Sequence, residues 1–149
     1  MEMGNKIVNT MKTEFCAKSV NEGFARTAVA VFASQADPSI AIIADIKTAV
    51  SEAVTNAIVH GYAECEDRQK CIIYINCRIT EDNKLIIKIK DKGRGIDDVR
   101  TAMQPLFTTD TDGERSGMGF TIMESFSDGI RVSSRVGKGT TVTLEKRLV

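Results

Sequence analysis

Between residues 39 and 91 the hydrophobic period changes from helical to extended, and that change leaves few architectures open. At 100° per residue, Ile43, Ile46, Val50, Val54, Ala57 and Gly61 form one narrow stripe, as an amphipathic helix requires. Asp45, Glu52 and Asn56 fall on the opposite side, with His60 at its edge. Asp37-Pro38 reads as an N-cap followed by proline at the first helical position, and Gly61 suits the helix end. From Cys71 the period is two. Cys71, Ile73, Ile75, Cys77 and Ile79 alternate with Ile72, Tyr74, Asn76 and Arg78. Glu81-Asp82-Asn83 predicts a hairpin turn, after which Leu85, Ile87 and Ile89 take the inward positions. Asp91 keeps that inward parity. A carboxylate in phase with a core face needs a partner, because burying it alone is costly.

The remaining chain supplies the second layer. Ile7, Met11 and Phe15 give weak strand signals over 6–15. Ser19 and Glu22 have capping-box spacing, and a helix follows with Val20, Phe24, Ala28, Val31 and Phe32 on one side and Arg26 toward solvent. A polar, glycine-rich stretch over 93–119 holds at most a short helix at 97–103. A helix at 119–126 and strands at 129–135 and 140–147 complete the chain, with Thr140, Val142 and Leu144 on one face. This pattern predicts an α+β two-layer sandwich, with helices on one face of a mainly antiparallel sheet. No repeat or low-complexity segment interrupts it, so one domain over 1–149 is expected.

Composition narrows the function. Twenty Lys and Arg balance twenty Asp and Glu, which argues against a general binder of nucleic acid or of membrane surfaces. No apolar run reaches the roughly 18 residues of a membrane span, and Met1–Lys6 lack a signal-peptide core. A cytoplasmic protein is expected. Cys16, Cys65, Cys71 and Cys77 form no C-x-x-C pair, and the lone His60 cannot complete a zinc set. The four are expected to be reduced thiols.

Three constellations carry chemistry. Glu52 and Asn56 are one helical turn apart, so a proton acceptor neighbours a carboxamide able to ligate a hard cation. The same spacing also fits a solvated helix face. Asp91-Lys92-Gly93-Arg94-Gly95-Ile96 follows a strand, and its glycines allow a ligand close to the backbone, while Asp91 could accept a hydrogen bond from an exocyclic amine. It also fits a glycine-rich turn, and it is not the G-x-G-x-x-G fingerprint. Arg115-Ser116-Gly117-Met118-Gly119-Phe120 opens a predicted helix, where backbone N–H groups favour an anion. It also fits a plain loop, and it is not a P-loop.

Taken in order, Glu52-x-x-x-Asn56, Asp91-x-Gly93-x-Gly95, Gly117-x-Gly119 and Gly139-Thr140 resemble the Bergerat ATP-binding fold of the GHKL ATPases and kinases. Ser51 to Tyr62, Pro105 to Thr109 and Glu114 to Glu124, with Phe24-Ala25-Arg26, resemble the anti-sigma F branch more closely. The resemblance spans roughly residues 7–147. It implies a protein serine kinase that uses Mg²⁺ and ATP to phosphorylate a serine on an anti-anti-sigma factor. It also implies a homodimer that binds and inhibits a sporulation sigma factor. On that resemblance Glu52 is the general base and Asn56 ligates Mg²⁺ at the phosphates. Asp91 holds the adenine amine with Thr140 in support, and Gly93, Gly95 and Ile96 shape the base pocket. Residues 103–119 form a lid, in which Thr108 and Thr109 join the nucleotide site. Ser116, Gly117, Met118, Gly119 and Phe120 lie near the phosphates, and Arg115 reaches the γ-phosphate. Arg26 faces the protein partners.

Glu52 and Asn56 lie opposite the apolar stripe, so this reading requires their face to look into a cleft. Small Ala49 and Ala53 beside them leave room. Three other readings use the same motifs. A water-directed ATPase is disfavoured by the lack of a transducer segment, and a sensor histidine kinase by the lack of a preceding phosphoacceptor helix. A pure binding module, whose nucleotide only sets partner affinity, leaves Glu52 without a task.

Overall fold

Alternation in the chain becomes alternation across a sheet. The computed structural model describes residues 6–104 and 119–149. Its strands are β1 (Ile7–Cys16), β2 (Ile72–Thr80), β3 (Lys84–Asp91), β4 (Gly129–Arg135) and β5 (Gly139–Arg147). They form one sheet in the order β1-β2-β3-β5-β4, with every neighbouring pair antiparallel. The predicted inward residues of β2 and β3, Ile73, Ile75, Cys77, Ile79, Leu85, Ile87 and Ile89, are all buried. Asp91 continues that face and is 5% exposed. Thr140, Val142 and Leu144 of β5 are buried on the same side.

The helices α1 (Glu22–Ala33), α2 (Ile40–Asn56), α3 (Val99–Ala102) and α4 (Gly119–Ser125) make the second layer. Helix α2 is central and packs against both α1 and α4. Ile46, Val50 and Val54 of its stripe join Val29, Met123 and the sheet residues in one core. Each large aliphatic side chain buried there is worth about 1.5–3 kcal/mol. The α+β sandwich read from the sequence is the observed architecture. No helix among the described residues is long and apolar enough to cross a membrane.

Four local expectations are corrected. The apolar side expected for α1 is not its buried face: Val20, Phe24 and Val31 are exposed, while Ala25, Val29, Ala30 and Ala33 pack inward. The N-cap of α2 is Ser39, whose side chain accepts a hydrogen bond from the Ile42 N–H; Asp37 instead takes a left-handed conformation at φ 53°. The Ser19/Glu22 capping box does not form. Ser19–Asn21 is a 3-10 turn, and the Glu22 carboxylate serves Thr55 and Arg26. The α2 helix does not run uniformly to His60. After Asn56 it widens into a π turn, Ala57–Gly61, closed by Tyr62 N–H donating to the Ala57 carbonyl at 2.8 Å.

The cysteines also need correction. Cys65 and Cys71 are joined in a disulfide, while Cys16 and Cys77 are free. The connector between α2 and β2 folds back through a 3-10 turn at Arg68–Lys70, capped by Asp67. That turn leaves the two Cα atoms 6.6 Å apart, within the span a disulfide bridges. Cys71 lies before the first residue of β2, so strand parity did not govern its side chain. Cys77 is buried as expected, and burial pushes its thiol up to about 12.

Candidate functional site: a cavity between α2 and the sheet

The two faces of α2 have different neighbours. Its apolar stripe packs into the core, and the opposite face borders a cavity of about 1170 Å³. Glu52 and Asn56 line that cavity and are half-buried. Their predicted face therefore looks into a cleft and not into bulk water. Ala49 and Ala53 are both buried, and Ala53 lines the cavity beside Glu52. The first residue of α4, Gly119, comes to the same place. A Cβ on it would lie 3.6 Å from Asn56 Oδ1 and 3.8 Å from Glu52 Oε2. Phe120 follows it into the lining.

The far end of the cavity is built around Asp91. This last residue of β3 pairs with Thr140 of β5 across the ladder. Its Oδ1 accepts from the Gly93 N–H at 2.9 Å. Burial pushes its carboxyl above the usual carboxylate range, against the opposing pull of the Gly93 and Thr140 backbone N–H groups. Gly61 and Gly93 let the backbone close on it. A Cβ on Gly61 would lie 2.7 Å from Asp91 Oδ2, and one on Gly93 would lie 1.8 Å from the Gly61 carbonyl oxygen. The Arg94 N–H donates to that same carbonyl at 2.9 Å. Gly95, Ile96 and Thr140 line this end too.

Tyr62 supports the arrangement. Its hydroxyl accepts from the Lys92 N–H at 2.7 Å and donates to the Ile72 carbonyl at 2.5 Å, tying the residue after Asp91 to the start of β2. Burial raises the Tyr62 phenol, the Lys92 N–H lowers it, and the neighbouring Asp91 and Tyr74 raise it further. Sequence reasoning gave Tyr62 no role and read Gly61 as part of the apolar stripe and as the helix end. Their spacing from Asn56 is legible, but their contacts with Asp91 and Lys92 depend on the π turn.

The cavity thus joins Glu52, Asn56, Asp91, Gly93, Gly95, Ile96, Gly119, Phe120 and Thr140, which come from four separate segments of the chain. Arg26 is not among the lining residues. It stands on α1, paired with Glu22 at 3.4 Å, and Glu22 in turn accepts from Thr55 of α2 at 2.8 Å. Thr108, Thr109, Arg115, Ser116, Gly117 and Met118 lie outside the described residues, as does most of the expected lid.

A family profile described as "Histidine kinase-like ATPase domain" matches residues 17–146. The anti-sigma F factor of Clostridium novyi (strain NT) is 54% identical over 140 residues, covering 94% of this chain and 95% of that protein. The anti-sigma F factor of Caldanaerobacter subterraneus subsp. tengcongensis is 55% identical over 138 residues, covering 93% of each. The chain belongs to the anti-sigma F factor family. Its fold also matches a solved structure, the RsbU and RsbW domains of Rv1364c from Mycobacterium tuberculosis, with a TM-score of 0.69 and 22% identity. That match covers 95% of this chain and 33% of the other, so the anti-sigma F fold recurs there inside a longer protein. The stretch matched by the histidine kinase-like ATPase domain profile, residues 17–146, includes every cavity-lining residue named above.

Proposed function

We propose that this chain is an ATP-dependent protein serine kinase that also binds and inhibits a sporulation sigma factor. The observation that carries the kinase reading is the meeting of Glu52, Asn56, Gly119, Asp91 and Thr140 around one cavity. The relatives' shared name, anti-sigma F factor, supports the sigma-factor partner. An anti-anti-sigma factor would supply the target serine, and Arg26 on α1 would meet both partners. The homodimer and the single-domain organisation belong to the same reading.

ATP would lie with its base toward Asp91 and its phosphates toward Asn56 and the start of α4. An ionised Asp91 accepts hydrogen bonds only, which suits the adenine amine. Thr140 would add its hydroxyl, while Gly93, Gly95 and Ile96 would shape the base pocket. Residues 103–119 would close over the phosphates, with Thr108, Thr109 and Ser116 to Phe120 along them and Arg115 at the γ-phosphate.

The donor set fits Mg²⁺. Among the described residues no group of three or more His, Cys, Asp or Glu could hold a metal. One hard carboxamide oxygen, from Asn56, matches an ion that takes most of its ligands from water and phosphate. When bound, Mg²⁺ neutralises charge on the transferring phosphates. Glu52 would accept the proton of the incoming serine hydroxyl as its oxygen bonds to the γ-phosphorus. The bond to the bridging oxygen then breaks and ADP leaves.

Incubation with labelled ATP and the anti-anti-sigma factor tests the reading. Label is expected on one serine. Glu52→Ala should abolish transfer with nucleotide binding largely kept, and Asn56→Ala should lose the Mg²⁺-dependent part of ATP affinity. Wild-type transfer by Glu52→Ala would refute the base assignment. Absence of labelled serine with the wild type would reduce the function to sequestration.

A further inference from the structure

Ser134 has no role in the reading above, yet it sits where the two ends of the base pocket meet. It lies in β4 directly opposite Thr140 of β5 and is half-buried. Its hydroxyl accepts from the Ile96 N–H at 2.7 Å and donates to the Gly139 carbonyl at 3.0 Å. Thr140 Oγ1 lies 2.8 Å away. A serine hydroxyl carries one proton and two lone pairs. Either hydroxyl could donate across the Ser134–Thr140 contact, but only one arrangement serves all three neighbours of Ser134 at once: its proton on the Gly139 carbonyl, one lone pair on the Ile96 N–H and the other lone pair on Thr140. In that arrangement Thr140 donates its own proton to Ser134. What Thr140 keeps for the cavity is two lone pairs and no proton.

This matters because Thr140 neighbours Asp91, itself an acceptor when ionised. We propose that Ser134 is a positioning residue for base selection. By taking the Thr140 proton it makes both polar groups at this end of the cavity acceptors. The inference rests on the nucleotide reading of the site and adds the selectivity to it. A 6-amino purine brings two N–H donors to such an edge. A 6-oxo purine brings a carbonyl oxygen, which would face lone pairs with no proton between them. Serine at this position therefore favours adenine over hypoxanthine.

Ser134 also has a structural task. With the Gly137 N–H, which donates to the Arg94 carbonyl at 2.7 Å, it clasps the loop after β3 to the β4–β5 hairpin. Its removal will loosen that clasp for any ligand. The base preference, unlike absolute affinity, reports the direction of the Thr140 proton.

The experiment is calorimetric titration of the intact chain with ADP and with inosine 5′-diphosphate, both with Mg²⁺, for wild type, Ser134→Ala and Ser134→Thr. Melting curves establish that each variant is folded. Wild type is expected to prefer ADP. Ser134→Ala should cut the ADP-to-inosine-diphosphate preference about five- to tenfold, the scale of one hydrogen bond. Ser134→Thr, which keeps the hydroxyl, should restore it. Equal weakening of both ligands by Ser134→Ala, with the ratio unchanged, would overturn the inference and leave only the clasp. Binding of neither diphosphate by wild type would instead overturn the nucleotide reading, and this inference with it.

Discussion

Three glycines around the cavity form a graded test of its geometry. Alanine at each adds one methyl group at a place the structure defines. At Gly93 the new Cβ would sit 1.8 Å from the Gly61 carbonyl oxygen. That oxygen is backbone, held by the Arg94 N–H at 2.9 Å, so it cannot turn aside like a side chain. At Gly61 the nearest atom is Asp91 Oδ2 at 2.7 Å. It belongs to a carboxylate that Gly93 anchors, and a shift of a few tenths of an ångström would relieve most of the overlap. At Gly119 the nearest atom is 3.6 Å away, an ordinary contact. Overpacking of this kind costs about 1–3 kcal/mol, and Gly93→Ala should lie at or above the top of that range because backbone must move. Gly61→Ala should cost about 1–2 kcal/mol and move the Asp91 carboxylate, weakening adenylate binding about tenfold. Gly119→Ala should be neutral or slightly stabilising, since alanine suits a helix better by up to about 1 kcal/mol. Urea unfolding measures the stabilities, and calorimetric titration with ADP measures affinity. Equal stability of Gly93→Ala and wild type would refute the packing described here, as would Gly119→Ala proving the most damaging of the three.

Two further outcomes are expected. Because the carboxyl of Asp91 is raised by burial, the folded state holds its proton to higher pH than the unfolded chain does. Its contribution to stability is therefore greatest below the ordinary carboxylate range and falls as pH rises through the raised value. Unfolding free energies measured against pH should lose that component in Asp91→Asn; parallel curves for the two proteins would contradict it. Thiol titration of the folded, unreduced protein should find half-buried Cys16 reactive and buried Cys77 slow. Two more thiols should appear only after reduction of the Cys65–Cys71 link; four thiols before reduction would disprove it.

Much of the architecture was legible because burial and period are coupled. In β2 and β3 the period of two told which residues face the core, and Asp91 belonged to that series before any contact was known. On α2 the same logic separated Val50 and Val54 from Glu52 and Asn56. The caps were less legible. Asp37-Pro38 and Ser19/Glu22 carry good local signals, yet Ser39 caps α2 and Glu22 turns to Thr55 of another helix. Local signals of about 1 kcal/mol yield to tertiary contacts of similar size.

The sequence alone thus determined two layers, the faces of α2, β2 and β3, and the residue types able to bind a nucleotide; it misread the face of α1, where Phe24 and Val31 are exposed. It could not tell whether Glu52 and Asn56 meet water or a cleft, because periodicity assigns a side to a residue without saying what lies there. Packing of α2 over the sheet with α4 beside it, and the π turn that sets Gly61 against Asp91, decided that. The Cys65–Cys71 link and the Ser134–Thr140 contact likewise needed the folded geometry. Each joins residues six apart, and depends on how the connector and the β4–β5 hairpin turn in three dimensions.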